Sequence, residues 1–196
     1  MADRERVRAG GRSERVRRQV AAGCLSLLAE GRTDLSPSAV AQRSGVTRAT
    51  VYRWWPTKVD LLHEALTAHT GHRIDPVDTG TWEGDVHALA RRLATFFADP
   101  VEVSLNVIMA TGADAEYDRV VLAHYEPIFA AWRAVVTRAQ DRDELDAGVD
   151  PDTVVMALAS PMLVTPLLFH RTVGAGTVRR LAALVAAGAR RQVASA

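Results

Sequence analysis

The chain has one cysteine, Cys24, which excludes an internal disulfide. Cys24 lies in the apolar segment Val20 to Leu28, where core packing is the expected role and nothing nearby suggests the exposure or lowered pKa of a redox sensor. Lysine is nearly absent, so arginine carries the positive charge. There is no Gly-rich phosphate loop, no Ser, Cys or acid pair with a plausible catalytic partner, and no His or Cys pair at strong metal spacing. His63 and His69 are six residues apart and fall on different helix faces; His72 follows, while His87, His124 and His170 stand singly. An enzyme, a metal site and a bound cofactor are therefore not expected. The N-terminal arginines are not followed by the apolar h-region of a targeting signal, and no apolar run reaches the roughly 20 residues of a membrane span. The expected setting is cytoplasmic, with no membrane partner. Strand-like alternation of useful length is missing as well, so an all-α chain of about nine helices is expected.

What the chain does have is a polarised charge. Its 196 residues are 48% hydrophobic and 24% charged with a net charge of +1, ordinary for a globular protein long enough to bury real cores. Residues 1–60, however, hold 12 Arg and Lys against 6 Asp and Glu, which leaves 12 against 17 for residues 61–196. A basic N-terminal end is the electrostatic footprint of nucleic-acid binding. Met1 to Arg18 contain seven arginines and almost nothing apolar, which reads as a flexible arm over residues 1–12 with Ser13 capping the first helix. Such an arm either follows phosphates or enters the minor groove, or it is a solvated tail.

Residues 36–58, SPSAVAQRSGVTRATVYRWWPTK, read as a helix, a turn and a second helix. Ser36 is placed to cap a helix whose first residue is Pro37, where a missing N–H is harmless. Gly45 supplies the turn, because only glycine takes a positive φ without a Cβ penalty. Thr47 caps the second helix, which runs to about Trp54 with Val51 and Trp55 facing inward. Its outer face offers Arg48, Thr50, Tyr52 and Arg53. In a helix-turn-helix the N-terminal residues of the second helix meet base edges, so Arg48, Ala49 and Thr50 are the candidates for direct readout. Lys58, beyond Pro56 at the start of the next helix, suits a phosphate. A solvated helical hairpin is the alternative for a lone helix-Gly-helix pattern. It does not account for Tyr52-Arg-Trp54-Trp55-Pro56-Thr57-Lys58 followed by Val59-Asp60-Leu61-Leu62.

These residues, with Val20 to Leu28, the break Ala29-Glu-Gly-Arg32, Val40-Ala-x-x-Ser-Gly-Val46 and Thr50-Val-Tyr52 through Lys58 to Leu62, make the first 70 or so positions resemble the N-terminal domain of the TetR family of transcriptional regulators. The family usually has Phe at Trp55 and commonly a smaller residue, His or Tyr at Trp54. By this resemblance Thr50, Tyr52 and Lys58 match positions that touch the DNA backbone, and Arg48 and Ala49 match positions that touch bases. Ser36, Thr47, Arg53 and Trp54 complete the candidate set of DNA-binding residues.

Turn residues at Gly71, Ile74-Asp75-Pro76 and Thr79-Gly80 mark a boundary, giving a helix-turn-helix domain over 13–72 and a second domain over 73–196. A fourth helix is expected from Leu61 to about His72, then five more: 83–98, 101–111, 114–141, 151–171 and 177–193. The resemblance implies that this half binds a ligand and dimerises. Phe97, Asn106, Met109, His124, Tyr125, Phe129, Met162 and Thr165 are the candidates for a pocket of apolar walls with convergent polar groups. The last two helices carry apolar residues on more than one face, among them Val154, Leu158, Leu168, Leu181, Leu184 and Val185, which suits pairing with a second copy. The reading is a homodimeric repressor of double-stranded operator DNA, released by an unknown small-molecule inducer. Alternatives are a carrier or enzyme that retains a helical N-terminal domain, or an architectural DNA binder without a ligand.

Overall fold

The computed structural model describes residues 3–69, 75–112 and 114–191, the side chains of 3–10, 12 and 191 excepted. Among the described residues there are nine α-helices and no strand: α1 (Asp3–Ala29), α2 (Pro37–Ser44), α3 (Arg48–Trp54), α4 (Lys58–His69), α5 (Trp82–Ala98), α6 (Pro100–Thr111), α7 (Ala115–Asp141), α8 (Pro151–Phe169) and α9 (Ala175–Arg191). They form two compact units, one of Met1–Gly71 with Ser104–His124, the other of His72–Val103 with Tyr125–Ala196. The segment Ser104–His124, expected with the C-terminal half, thus groups with the N-terminal helices.

In the first unit α1 packs on α2 and α4, and α2 packs on α3. Val20, Cys24, Leu28, Leu35, Val40, Val51, Leu61 and Leu62 are wholly excluded from solvent, and their burial at helical spacing is what closes these short helices into a core. Gly23 lets α2 approach α1, since a Cβ there would stand 3.1 Å from Ser44 Cβ and 3.2 Å from its backbone nitrogen. Arg43 then clamps α2 to α1 with a bidentate pair to Glu30, 2.5 and 2.6 Å, and a bond to Ser26 Oγ at 2.8 Å. Ser104 donates to Leu28 O at 2.6 Å, a carbonyl that also accepts from Gly31 N at 2.8 Å, which ties α6 to the end of α1.

Two helix starts differ from expectation by more than two residues. The backbone of α1 is helical from Asp3, so Ser13 lies inside the helix and residues 3–12, expected as a flexible arm, are helical; Arg, Glu and Ala carry the helix through Gly10 and Gly11 despite roughly 1 kcal/mol of unfavourable propensity each. Met1 and Ala2 lie outside the described residues. Helix α4 starts at Lys58 rather than Leu61, because Thr57 and Asp60 form a reciprocal capping box. Thr57 N and Oγ1 donate to Asp60 Oδ2 at 3.0 and 2.6 Å, and Asp60 N donates to Thr57 Oγ1 at 3.2 Å. The expected end of that helix at His72 falls outside the described residues.

In the second unit α5, α8 and α9 pack pairwise. Trp82, buried at the start of α5, donates its indole N–H to Ala186 O of α9 at 3.1 Å. Asp150 caps α8 through Thr153 N at 2.8 Å. With 19 residues and a mean hydropathy of 1.6, α8 is long and apolar enough to cross a membrane by length and composition, contrary to the expectation that no segment is. Its buried side, Val154, Val155, Leu158, Ala159, Met162 and Pro166, faces the unit's own core, while Met156, Val164, Leu168 and Phe169 are exposed.

Candidate nucleic-acid interface

The turn between α2 and α3 is built as the residue chemistry demands. Ser36, in an extended conformation, accepts from Ala39 N at 3.3 Å and starts α2. Gly45 ends it at φ 70, ψ 10, in the left-handed region. Thr47 then accepts from Thr50 N at 3.3 Å and shares a 2.9 Å bond with Thr50 Oγ1, so both hydroxyls are oriented before any ligand arrives. Helix α3 buries Val51 completely, and Trp55, its C-cap, is 5% exposed. Trp55 Nε1 donates to Glu64 Oε2 at 3.1 Å, which locks α3 to α4. The Trp54 ring, half-buried, lies 5.6 Å from that of Trp55.

Anchored in this way, α3 exposes Arg48, Ala49, Tyr52 and Arg53 on one outward surface, with Thr47 exposed just before it and Thr50 partly so. Tyr52, half exposed at 50%, is a large aromatic with no core to fill. Ser36 is half-buried and its hydroxyl is occupied as a cap. Lys58 stands apart from this set in its bonding. Its ammonium pairs with Asp114 Oδ2 at 2.7 Å and lies 5.6 Å from the centre of the Tyr117 ring. The bond from Lys58, with that from Tyr117 N, holds the Asp114 carboxyl below the usual range, and the same bond raises Lys58.

The candidate ligand residues divide between the units. Phe97, Tyr125 and Phe129 join Phe96 and Trp132 in an aromatic cluster of the second unit, with ring centres 5.0 Å apart for Phe96–Phe97, 5.1 Å for Phe96–Trp132 and 5.6 Å for Tyr125–Phe129. Met162 is buried in the same unit, and Thr165 donates to Pro161 O at 2.7 Å. Asn106, Met109 and His124 belong to the first unit, where His124 stacks on His69 at 6.3 Å rather than standing singly. Sequence patterns gave no signal for Glu102, a fully buried carboxylate on α6 that accepts from Tyr125 Oη at 2.9 Å. A lone glutamate in the first turn of a helix ordinarily reads as a solvated partner of the helix dipole. Among the described residues no three His, Cys, Asp or Glu side chains gather as a metal site would require.

The profile of the tetracyclin repressor-like C-terminal domain matches residues 76–185, more than half the chain. The chain belongs to the TetR family. An IclR helix-turn-helix domain profile matches residues 19–54, the stretch from mid-α1 to the end of α3. A DNA-binding transcriptional repressor TetR of Mycobacteroides abscessus is 32% identical over 131 residues, 64% of this chain and 67% of the relative. The HTH-type transcriptional regulator AqdR of Rhodococcus erythropolis is 28% identical over 153 residues, 77% of this chain and 74% of its own. The crystal structure of the transcriptional regulator FadR from Bacillus subtilis, in complex with stearoyl-CoA, superposes with a TM-score of 0.70 over 87% of this chain and 97% of that one, at 13% identity, which shows the shared fold. This TetR-family chain is a DNA-binding transcriptional regulator, and its matched relatives are regulators rather than enzymes.

Proposed function

We propose that the protein is a homodimeric, cytoplasmic repressor whose two α3 helices read successive half-sites of operator DNA and which a small molecule releases. The observation that carries the reading is the outward surface of α3: Arg48, Ala49, Tyr52 and Arg53 are exposed on a helix that is capped at its start by Thr47 and pinned at its end by Trp55. A rigid helix presenting a guanidinium at its first residue suits bidentate recognition of guanine in the major groove. Thr47, Thr50 and Lys58 serve as backbone contacts beside it, with Ser36 and Trp54 at the margin. In this reading residues 13–72 form the DNA-binding domain and 73–196 the ligand-binding and dimerisation domain, with the arginine-rich residues 1–12 either following the phosphates or standing solvated.

Dimerisation is supported by the exposed side chains of Met156, Leu168 and Phe169 on α8 and Leu184 on α9, each at least 60% exposed. Large apolar groups so placed on two neighbouring helices favour cover by a second copy, and a two-fold dimer matches a symmetric operator. The ligand is assigned in this reading to the aromatic cluster of Phe97, Tyr125, Phe129 and Trp132. Trp132 is 1% exposed and its Nε1 has no protein acceptor among the described residues, so it offers a donor to a bound molecule. Met162 and Thr165 extend that region in the same unit. Asn106, Met109 and His124 remain candidates on the other.

The test is a gel shift of the full chain with the DNA upstream of its own gene, at fixed salt and against excess random duplex. A competitor-resistant complex is expected, and a small-molecule screen on that complex then seeks the inducer. Loss of every complex to random duplex, for this and other promoters, would favour a carrier without a DNA role.

A further inference from the structure

We infer that Asp114 sets the strength of DNA binding by competing with phosphate for the ammonium of Lys58. The inference rests on the reading of Lys58 as a phosphate contact.

Lys58 is the only lysine in the chain. It stands on the first residue of α4, whose position is fixed by the Thr57–Asp60 capping box. Asp114 is fixed as firmly, and its two oxygens have separate tasks. Oδ1 accepts from the backbone N–H groups of Glu116 and Tyr117, both at 3.1 Å, and so caps α7. Oδ2 is left to meet Lys58 Nζ at 2.7 Å. The Tyr117 ring, 5.6 Å from the ammonium, adds a second attraction on the same side.

A phosphate oxygen that takes the ammonium must either displace this carboxylate or stand beside it, and two anions around one ammonium repel. Binding to DNA therefore includes an exchange of Asp114 for phosphate. The exchange is readily made, since the two side chains are 47% and 30% exposed and such a pair is weak and screened by salt. The carboxylate therefore lowers affinity for every duplex alike without blocking it, because the contact it contests carries no sequence information.

The test compares the full chain with Asp114→Asn, Lys58→Ala and the double variant on a random-sequence duplex, over a range of salt. Asparagine keeps a capping oxygen for α7 but offers Lys58 no charge. Asp114→Asn is expected to tighten binding by about 2- to 5-fold, the range of an exposed ion pair, and to bring no gain once Lys58 is alanine. Asp114→Ser, also a capping residue, is expected to match the asparagine variant, which separates the lost charge from any change at the start of α7. An equal gain in the Lys58→Ala background would mark a general effect of one fewer negative charge and overturn the competition. No gain from Asp114→Asn, with Lys58→Ala still weakening binding, overturns it too while leaving Lys58 as a phosphate contact. Unchanged affinity and salt dependence in Lys58→Ala alone removes the phosphate contact and the competition together.

Discussion

Arg142 Nη2 lies 2.8 Å from Asp85 Oδ2, so a charge just past the end of α7 is bonded to a carboxylate in the first turn of α5 that is wholly excluded from solvent. The other oxygen of Asp85 accepts from Thr79 N at 2.6 Å and Thr79 Oγ1 at 2.8 Å. Arg142 also reaches Glu144 Oε2 at 3.3 Å, and Glu144 accepts the backbone N–H of Trp82. A buried carboxylate is tolerated only when its lone pairs are occupied, and here they are. Asp85→Ala should therefore take from Thr79 N its acceptor and from Arg142 its nearest carboxylate, leaving Arg142 the longer contact to Glu144, and destabilise the fold by about 2–4 kcal/mol, toward the lower end of what breaking a buried pair costs because Arg142 is partly exposed. Urea unfolding of the variant checks this; a loss below about 1 kcal/mol would place the pair with ordinary surface contacts.

The same residue makes a pH prediction. Burial pushes the Asp85 carboxyl up, but the Thr79 N–H, the Arg142 guanidinium and the Thr79 hydroxyl together hold it below the usual aspartate value. A carboxyl lowered by folding contributes stability that is present above its unfolded pKa, about 3.9, and is lost as pH falls through the folded value. Asp85→Asn should thus be less stable than the parent at neutral pH, yet lose less further stability as pH drops below about 4. Unfolding free energies measured down the acid limb decide it, and parallel curves for the two proteins would show that Asp85 does not titrate in this way.

Gly45 carries a conformational prediction. Its φ of 70 lies in the left-handed region, and a Cβ added there meets no atom within 4 Å. Any effect of Gly45→Ala is therefore backbone strain rather than a clash. A loss of roughly 1–2 kcal/mol is expected, with Gly45→Asn milder because asparagine tolerates that conformation. Thermal unfolding of the two variants gives the comparison, and equal losses would point away from φ as the cause.

These contrasts show which features a chain of letters discloses. Ser36, Gly45 and Thr47 were legible because a cap or a turn is settled by bonds within three or four residues, and the inward positions of Val51 and Trp55 follow from helical spacing. Lys58 was legible as a cation at a helix start, but its partner Asp114 was not, because nothing local joins a residue on α4 to the cap of α7. Glu102 was hidden for the same reason, its burial depending on the helices that cover it. The start of α1 lies earlier than expected because a segment with almost nothing apolar reads as one that cannot bury a core, while the individual residues still favour helix. Tertiary context decided the placing of Asp114 and Glu102, and local propensity the start of α1.

Cys24 tests the reading of the first unit's core. The thiol is completely buried, and burial, with Glu64 nearby, pushes it up to about 12. A protonated, inaccessible thiol is a poor nucleophile. At pH 8 the native protein should leave a thiol-reactive disulfide reagent essentially unreacted until denaturant is added. Prompt labelling of the folded chain would mean that α1 opens away from α2 and α4.

Base readout at Arg48 is separable from phosphate binding. Arg48 is exposed at the first residue of α3 and no shared bond holds it back among those that fasten Thr47 and Thr50. Arg48→Ala is expected to weaken operator binding by about 1–3 kcal/mol and random duplex little. Equal losses on both would reassign Arg48 to the backbone.

The exposed apolar side chains of α8 and α9 link assembly to DNA affinity. Leu184 is 71% exposed on α9 and Phe169 is 61% exposed at the end of α8, so neither supports the core of its own unit. Leu184→Glu should leave the helical content and the unfolding of each chain almost unchanged while placing a charge in the paired interface, where burying it unpaired costs several kcal/mol. Sedimentation is expected to show a monomer in place of a dimer. Because a dimer holds two α3 helices at once, the monomer should keep its affinity for an isolated half-site and lose most of its preference for the full symmetric operator. A variant that still sediments as a dimer would place the interface elsewhere. A monomer that binds the full operator as tightly as the parent would separate dimerisation from recognition and leave a single α3 as the whole of the DNA-reading apparatus.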